Sequence, residues 1–345
     1  MSKPSPVPAM PPYVVDIHAQ PDALAAVLDA GLDPAVAALM GRVRGFDRVV
    51  LTGMGASLFA HHPTFLALAA AGVPVWNLDT SELLGPAGGI ITSRTLLWIT
   101  SQSGGSGEVT ALLESLPRPR PVVLGSTNDL GSPLARAADV VLELRSGEER
   151  TVSTRSYVNS LATHALAVAA ALGTPPTGLA EAPTALGAYL ADWDAHVAAL
   201  EATVTEPTVF VIARGASLAS AMTGALIIKE AAKAPVEAMS APQFRHGPLE
   251  LADHNVAVIV LAGAGEDVAL NRQIAADLRR VGANAVWLES SEPGRGTPAM
   301  PAVAGPAGLP IAEILPLQAL SVALARRRAL EPGAFRQIEK VTTTL

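Results

Sequence analysis

A ten-residue pattern recurs in this chain 160 positions apart. Val49-Val50-Leu51-Thr52-Gly53-Met54-Gly55-Ala56-Ser57-Leu58 is echoed by Val209-Phe210-Val211-Ile212-Ala213-Arg214-Gly215-Ala216-Ser217-Leu218, an apolar run entering Gly-Ala-Ser-Leu both times. Leu96–Gly105 is echoed at the same offset by Val256–Gly265. An offset of that size is a whole domain rather than a solenoid repeat, so the chain reads as two copies of one domain, and its 345 residues accommodate both. Within the first copy, Arg48–Thr52, Val73–Leu78, Thr95–Thr100, Pro121–Gly125 and Val140–Leu144 are short and nearly continuous in apolar residues. Strands read that way when helices cover both faces of a parallel sheet. Between them Gly107–Leu116 places Val109, Leu112, Leu113 and Leu116 at helical spacing before Pro117. An open, doubly wound α/β architecture follows.

Composition narrows the function. Half the residues are hydrophobic and 16% are charged, which excludes disorder; aromatics are only 4%, so the core is built of small aliphatic side chains. The net charge of −7 argues against a nucleic-acid surface. With no cysteine there is no disulfide, thiolate nucleophile or Fe–S cluster, and most zinc sites are excluded. The Pro-rich start, Met1–Pro12, has no apolar signal region, and Tyr157–Ala180 is interrupted by Asn159, Ser160, Thr163 and His164. A soluble, cytoplasmic protein with no membrane segment is expected.

The two copies differ in loop chemistry. The first has Thr100-Ser101-Gln102-Ser103-Gly104-Gly105-Ser106-Gly107 after its strand, whereas the second has Leu261-Ala262-Gly263-Ala264-Gly265-Glu266. Three serine hydroxyls, an amide and the N–H groups of a helix start make a receptor for a phosphate dianion at the carboxyl edge of the sheet. No lysine follows, so this is not a nucleotide P-loop. Gly53-Met54-Gly55 invites a dinucleotide-binding reading, but Leu58 stands where the third small residue is needed. Ser57 instead adds a hydroxyl to the same crevice. Glu230 follows Leu226 and Ile227 by about one helical turn, on an apolar stripe where a carboxylate is expected to have a raised pKa. His246, in Phe244-Arg245-His246-Gly247-Pro248, is a loop histidine suited to acid–base work. Among the others, His61-His62 reads as a solvated helix start, and His18, His164 and His196 have no partners at metal spacing. Lys340 is the sole lysine of the last 100 residues.

The motifs Met54-Gly55-Ala56-Ser57, Ser101-Gln102-Ser103-Gly104, Ser153-Thr154-Arg155, Gly224–Glu230, His246-Gly247-Pro248 and Lys340-Val341-Thr342 fall in the order of the double sugar-isomerase (SIS) domain family. Over nearly the whole chain the sequence resembles the isomerase half of glucosamine-6-phosphate synthase. That resemblance implies two tandem flavodoxin-like SIS domains, each a parallel five-stranded sheet flanked by helices. Their expected limits are residues 13–185 and 186–330, after an arm at 1–12 and before a catalytic tail at 331–345. It implies that Ser101, Gln102, Ser103 and Ser106 hold the phosphate, with Ser57, Ser153 and Thr154 also binding substrate. Glu230 would move the proton between C1 and C2, His246 would open the ring from the neighbouring subunit of a homodimer, and Lys340 would meet the carbonyl carbon. No metal or organic cofactor is expected, since proton transfer and an amine suffice.

Ile227, Gly105, Ala56 and Gln243 depart from the synthase, which has lysine, glutamate, threonine and glutamate there. No glutaminase half is expected, and so no glutamine-dependent synthesis. The expected activity is aldose–ketose isomerisation of a hexose or hexosamine 6-phosphate, with or without loss of ammonia from C2. The alternatives are a fructosamine-phosphate deglycase and a non-catalytic sugar-phosphate sensor.

Overall fold

Strands that are apolar on both faces need cover on both faces, and the computed structural model provides it. The structure describes residues 10–290, 298–303 and 305–343. The first sheet comprises β1 (Arg48–Gly53), β2 (Val75–Asp79), β3 (Thr95–Thr100), β4 (Val122–Thr127) and β5 (Val140–Glu143), all parallel, in the order β2-β1-β3-β4-β5. The second comprises β6 (Thr208–Ala213), β7 (Val236–Ser240), β8 (Val256–Leu261) and β9 (Asn284–Leu288), also parallel, in the order β7-β6-β8-β9. The latter matches β2-β1-β3-β4 of the first, as the 160-residue offset requires. The central strands β3 and β8 are buried at every position.

Where five strands are expected in the second sheet, four are present among the described residues. After β9 the described chain brings Pro298, Pro301 and Pro306 before its last helix. Those three residues have no N–H to donate to a ladder.

Helices Arg155–Leu172, Leu218–Ala232 and Leu309–Arg327 share one apolar core, in which Tyr157 and Leu161 meet Ala225, Ile228, Leu317 and Leu320. Leu309–Arg327 is long and apolar enough to cross a membrane, but 94% of its apolar window is buried inside the fold, which marks it as a core helix. Residues 1–9 of the expected arm lie outside the described residues. Pro12 opens a helix, Pro12–His18, which is pinned to the last helix by Tyr13 Oη–Ser321 Oγ at 2.9 Å. Gln20 and Gln318 exchange amide hydrogen bonds at 2.9 and 3.1 Å between the same two regions. His61 corrects the sequence reading: it is fully buried, not a solvated helix start, because the turn before His62–Ala70 is folded under β3.

Candidate active site

The end of β3 opens directly into the serine loop. Its first N–H, on Ser101, donates to the Ser126 carbonyl at 3.0 Å, so the loop begins as a continuation of the ladder. Gly104 then turns the chain with φ +61°, its N–H donating to Ser101 Oγ at 3.1 Å. A Cβ at Gly104 would lie 2.1 Å from Ser132 Oγ, so glycine is required there by conformation and by space. Gly105 N–H donates to Ser103 Oγ at 3.3 Å. Ser106 is the N-cap of helix Gly107–Ser115, yet its side chain caps nothing within the chain. That leaves its hydroxyl available at the positive end of a helix.

Around this loop is a cleft of about 310 Å³, lined by residues of both halves and of the tail. Ser57, Ser101, Gln102, Ser103, Ser106 and Ser153 all line it, as do Glu230 and Lys340. Gly53 lets the walls approach, since a Cβ there would stand 2.7 Å from the Thr100 carbonyl.

In the same cleft the tail lysine pairs with one carboxylate and acts electrostatically on a second. Lys340 Nζ donates to Glu149 Oε2 at 2.7 Å and to the Thr151 carbonyl at 2.5 Å. Glu149 is buried and accepts four further bonds: from Thr154 N–H (2.7 Å) and Oγ1 (2.9 Å), and from Ser156 N–H (3.1 Å) and Oγ (2.7 Å). Burial pushes the Glu149 carboxyl up, but the Lys340 ammonium and the donors from Lys340 and Ser156 outweigh it and hold it below the ordinary value. Glu230 has no such set of donors. Burial pushes it up to about 7, against the opposing pull of Lys340 and Lys233 and with Glu149 adding to the rise.

The tail is fastened at several points. Gly333 N–H donates to the Ala231 carbonyl at 3.3 Å, Lys233 Nζ donates to the Ala334 carbonyl at 2.7 Å, and Gly107 N–H donates to the Thr342 carbonyl at 3.1 Å. Residues 331–343 thus cross the cleft without forming a regular element.

Two expected residues lie elsewhere. Thr154 is fully buried and does not line the cleft; both its donors are committed to Glu149. His246 is exposed in the turn after helix Ala241–Phe244 and is not among the lining residues. Ile227 is buried in the core, while its neighbour Leu226 faces the cleft. The sequence reading missed Glu149, which sits just before the Ser153-Thr154-Arg155 motif, and the lining carboxylates Glu108 and Glu339.

Residues 204–293 match the SIS domain. That part of the chain is a SIS domain. It is 28% identical over 343 residues to glutamine–fructose-6-phosphate aminotransferase (isomerizing) of Methanothermobacter thermautotrophicus, a match covering 95% of this chain and 56% of that protein. The chain therefore spans about half the length of the curated relatives it matches. Two solved structures share the fold at 18% identity. The glucosamine-6-phosphate deaminase of Thermotoga maritima aligns with TM-score 0.76 over 96% of this chain and 100% of its own. The tagatose-6-phosphate ketose/aldose isomerase of Escherichia coli aligns with TM-score 0.77 over 97% and 99%.

Proposed function

We propose that this SIS-domain chain isomerises a hexose or hexosamine 6-phosphate between its aldose and ketose forms. The observation that carries this is the convergence, in one cleft, of a hydroxyl-rich phosphate loop, a carboxyl poised near neutrality and a lysine on a tail. Ser101, Gln102, Ser103 and Ser106 hold the phosphate, and Ser57 and Ser153 meet the sugar chain. Glu230, with its pKa near 7, takes the proton from one carbon of the C1–C2 pair and returns it to the other. Lys340 is an ammonium while it is paired with Glu149. In that state it polarises the carbonyl and counters the negative charge of the enediolate; to form a Schiff base it must leave the pair and lose a proton. His246 reaches the cleft of the partner subunit in a homodimer and opens the sugar ring.

A second feature of the lining bears on the substrate. Glu108, Glu149, Glu230 and Glu339 face the cleft against Lys340 as the one lining cation among the described residues. That balance favours an amine-bearing sugar phosphate, with loss of ammonia from C2 or of an amino acid as the accompanying step.

Phosphate recognition is tested by Ser101→Ala/Ser103→Ala. Each hydroxyl lost to a charged group is worth about 1.5–3 kcal/mol, so affinity for sugar 6-phosphates should fall about a hundredfold or more. Equal binding of the unphosphorylated sugar by the native protein would contradict the reading.

A further inference from the structure

A buried polar cluster lies directly beneath the serine loop, outside every role assigned above. Thr100 is the last residue of β3, and its Oγ1 sits 2.8 Å from His61 Nε2 and 3.1 Å from His164 Nε2. The two imidazoles stack with centroids 4.5 Å apart and planes 12° from parallel, and Trp98 presents an edge to each at 5.5 and 4.9 Å. Trp98 Nε1 donates to Ser126 Oγ at 2.7 Å, and the Ser126 carbonyl receives the first N–H of the loop. Thr100, His61, His164 and Trp98 are all essentially inaccessible to solvent.

Three walls of the cleft meet at this point. His61 follows the segment Met54–Ser57, Thr100 precedes the serine loop, and His164 belongs to the helix that Ser153 precedes and whose first turn carries Ser156. One arrangement of the ring protons satisfies all three of these contacts. His164 Nδ1 faces the Ala60 carbonyl at 3.4 Å and carries its proton there, so its Nε2 accepts from the Thr100 hydroxyl. Thr100 Oγ1 then accepts from His61 Nε2–H, and His61 Nδ1, which has no partner among the described residues, is the bare nitrogen. Burial depresses the pKa of both rings, that of His164 to about 4, which keeps them neutral. Apolar side chains would fill this space without desolvating three polar groups, so the directed hydrogen bonds have a purpose that packing alone does not explain.

We propose that His61 and His164, acting through the Thr100 hydroxyl, are positioning residues that fix the start of the phosphate loop against the other two walls of the cleft. The proposal rests on the reading of that loop as the phosphate site. Its test compares Thr100→Val, which keeps the shape and loses the hydroxyl, with Thr100→Ser, which keeps the hydroxyl. Amide exchange of residues 101–106 in the ligand-free protein should accelerate about tenfold in Thr100→Val and stay native in Thr100→Ser. KM for fructose 6-phosphate should rise about tenfold in Thr100→Val with kcat changed less than about twofold. Nitrogen-15 histidine spectra of the native protein should show one Nε2–H and one Nδ1–H tautomer among the buried rings.

If Thr100→Val does not fold, His61→Gln, which retains an N–H donor, is compared with His61→Leu on the same readouts, and only His61→Leu should loosen the loop. Native exchange and native KM in a folded Thr100→Val protein, or two rings of the same tautomer, would overturn the proposal. Failure of the native protein to bind any sugar phosphate would overturn the phosphate reading instead, while the exchange arm still decides whether the cluster holds the loop.

Discussion

Glu149 and Glu230 are two carboxyl groups in one cleft whose surroundings push their pKa values apart. Glu149 is held below the ordinary range by Lys340 and by the donors around it, whereas burial carries Glu230 to about 7. Such a separation divides the roles into a fixed anion and a proton carrier. Turnover should therefore rise with pH through about 7, the limb on which Glu230 becomes a base, and Glu230→Gln should lower kcat by about 10²–10⁴-fold. Stability moves the other way. The folded pKa of Glu230 lies above its unfolded value, so the stability it contributes is complete below the unfolded value and is lost as pH rises through about 7. Glu230→Gln should gain on the native protein by up to about 3 kcal/mol between pH 5 and 9, measured by urea unfolding. A gain that shrinks over that range would contradict the burial of this carboxylate. Glu230 was legible in the sequence because its helix carries it on an apolar stripe. Glu149 was not, because its partner Lys340 lies 191 positions away and only the folded tail brings them together. His61 was misread because its dipeptide looks polar, and only the fold places it beneath β3.

At the scale of elements, the loop and the tail both line the cleft and are proposed to act on different parts of the substrate. Gly104→Ala introduces a Cβ at φ +61° and 2.1 Å from Ser132 Oγ, whereas a Cβ at Gly105 meets nothing nearer than 3.7 Å. Calorimetric titration with fructose 6-phosphate should show Gly104→Ala weakening affinity about tenfold or more and Gly105→Ala leaving it near native. Equal effects of the two would mean that the turn is not what shapes the site. Lys340→Ala should lower kcat by about 10²-fold or more with phosphate affinity little changed, since the serine loop is untouched. The strands of the first sheet were legible to within about two residues because parallel strands advertise themselves as apolar runs. That the second sheet has four strands among the described residues was not, since the two copies share their first four strands and the prolines after β9 carry no strand pattern. The course of the tail was not legible in the residue pattern, because it is held by backbone hydrogen bonds and by two lysines, Lys233 and Lys340, rather than by an apolar periodicity.

At the scale of the whole molecule, the cleft is assembled from both halves. The serine loop and Glu149 come from the first, Glu230 from the second, and Lys340 from beyond both. His246 is the one proposed participant outside the cleft of its own chain, which is the arrangement expected of a group supplied to a partner. Mixing His246→Ala with Glu230→Gln protein should restore part of the activity through hybrid dimers; no recovery after verified subunit exchange would confine each site to one chain. The proposed reaction of this cleft is proton transfer between C1 and C2 of a sugar 6-phosphate. It is tested most directly by incubating the purified protein in D₂O with a panel of hexose and hexosamine 6-phosphates and following the C1 and C2 proton resonances. The expected result is isomer formed for at least one phosphorylated sugar, with deuterium at the reacting carbon to the extent that the proton on Glu230 exchanges with solvent before its return, and neither for the unphosphorylated counterpart. Tight binding of the panel with neither isomer nor deuterium incorporation by the native protein would contradict catalysis and leave a sugar-phosphate sensor.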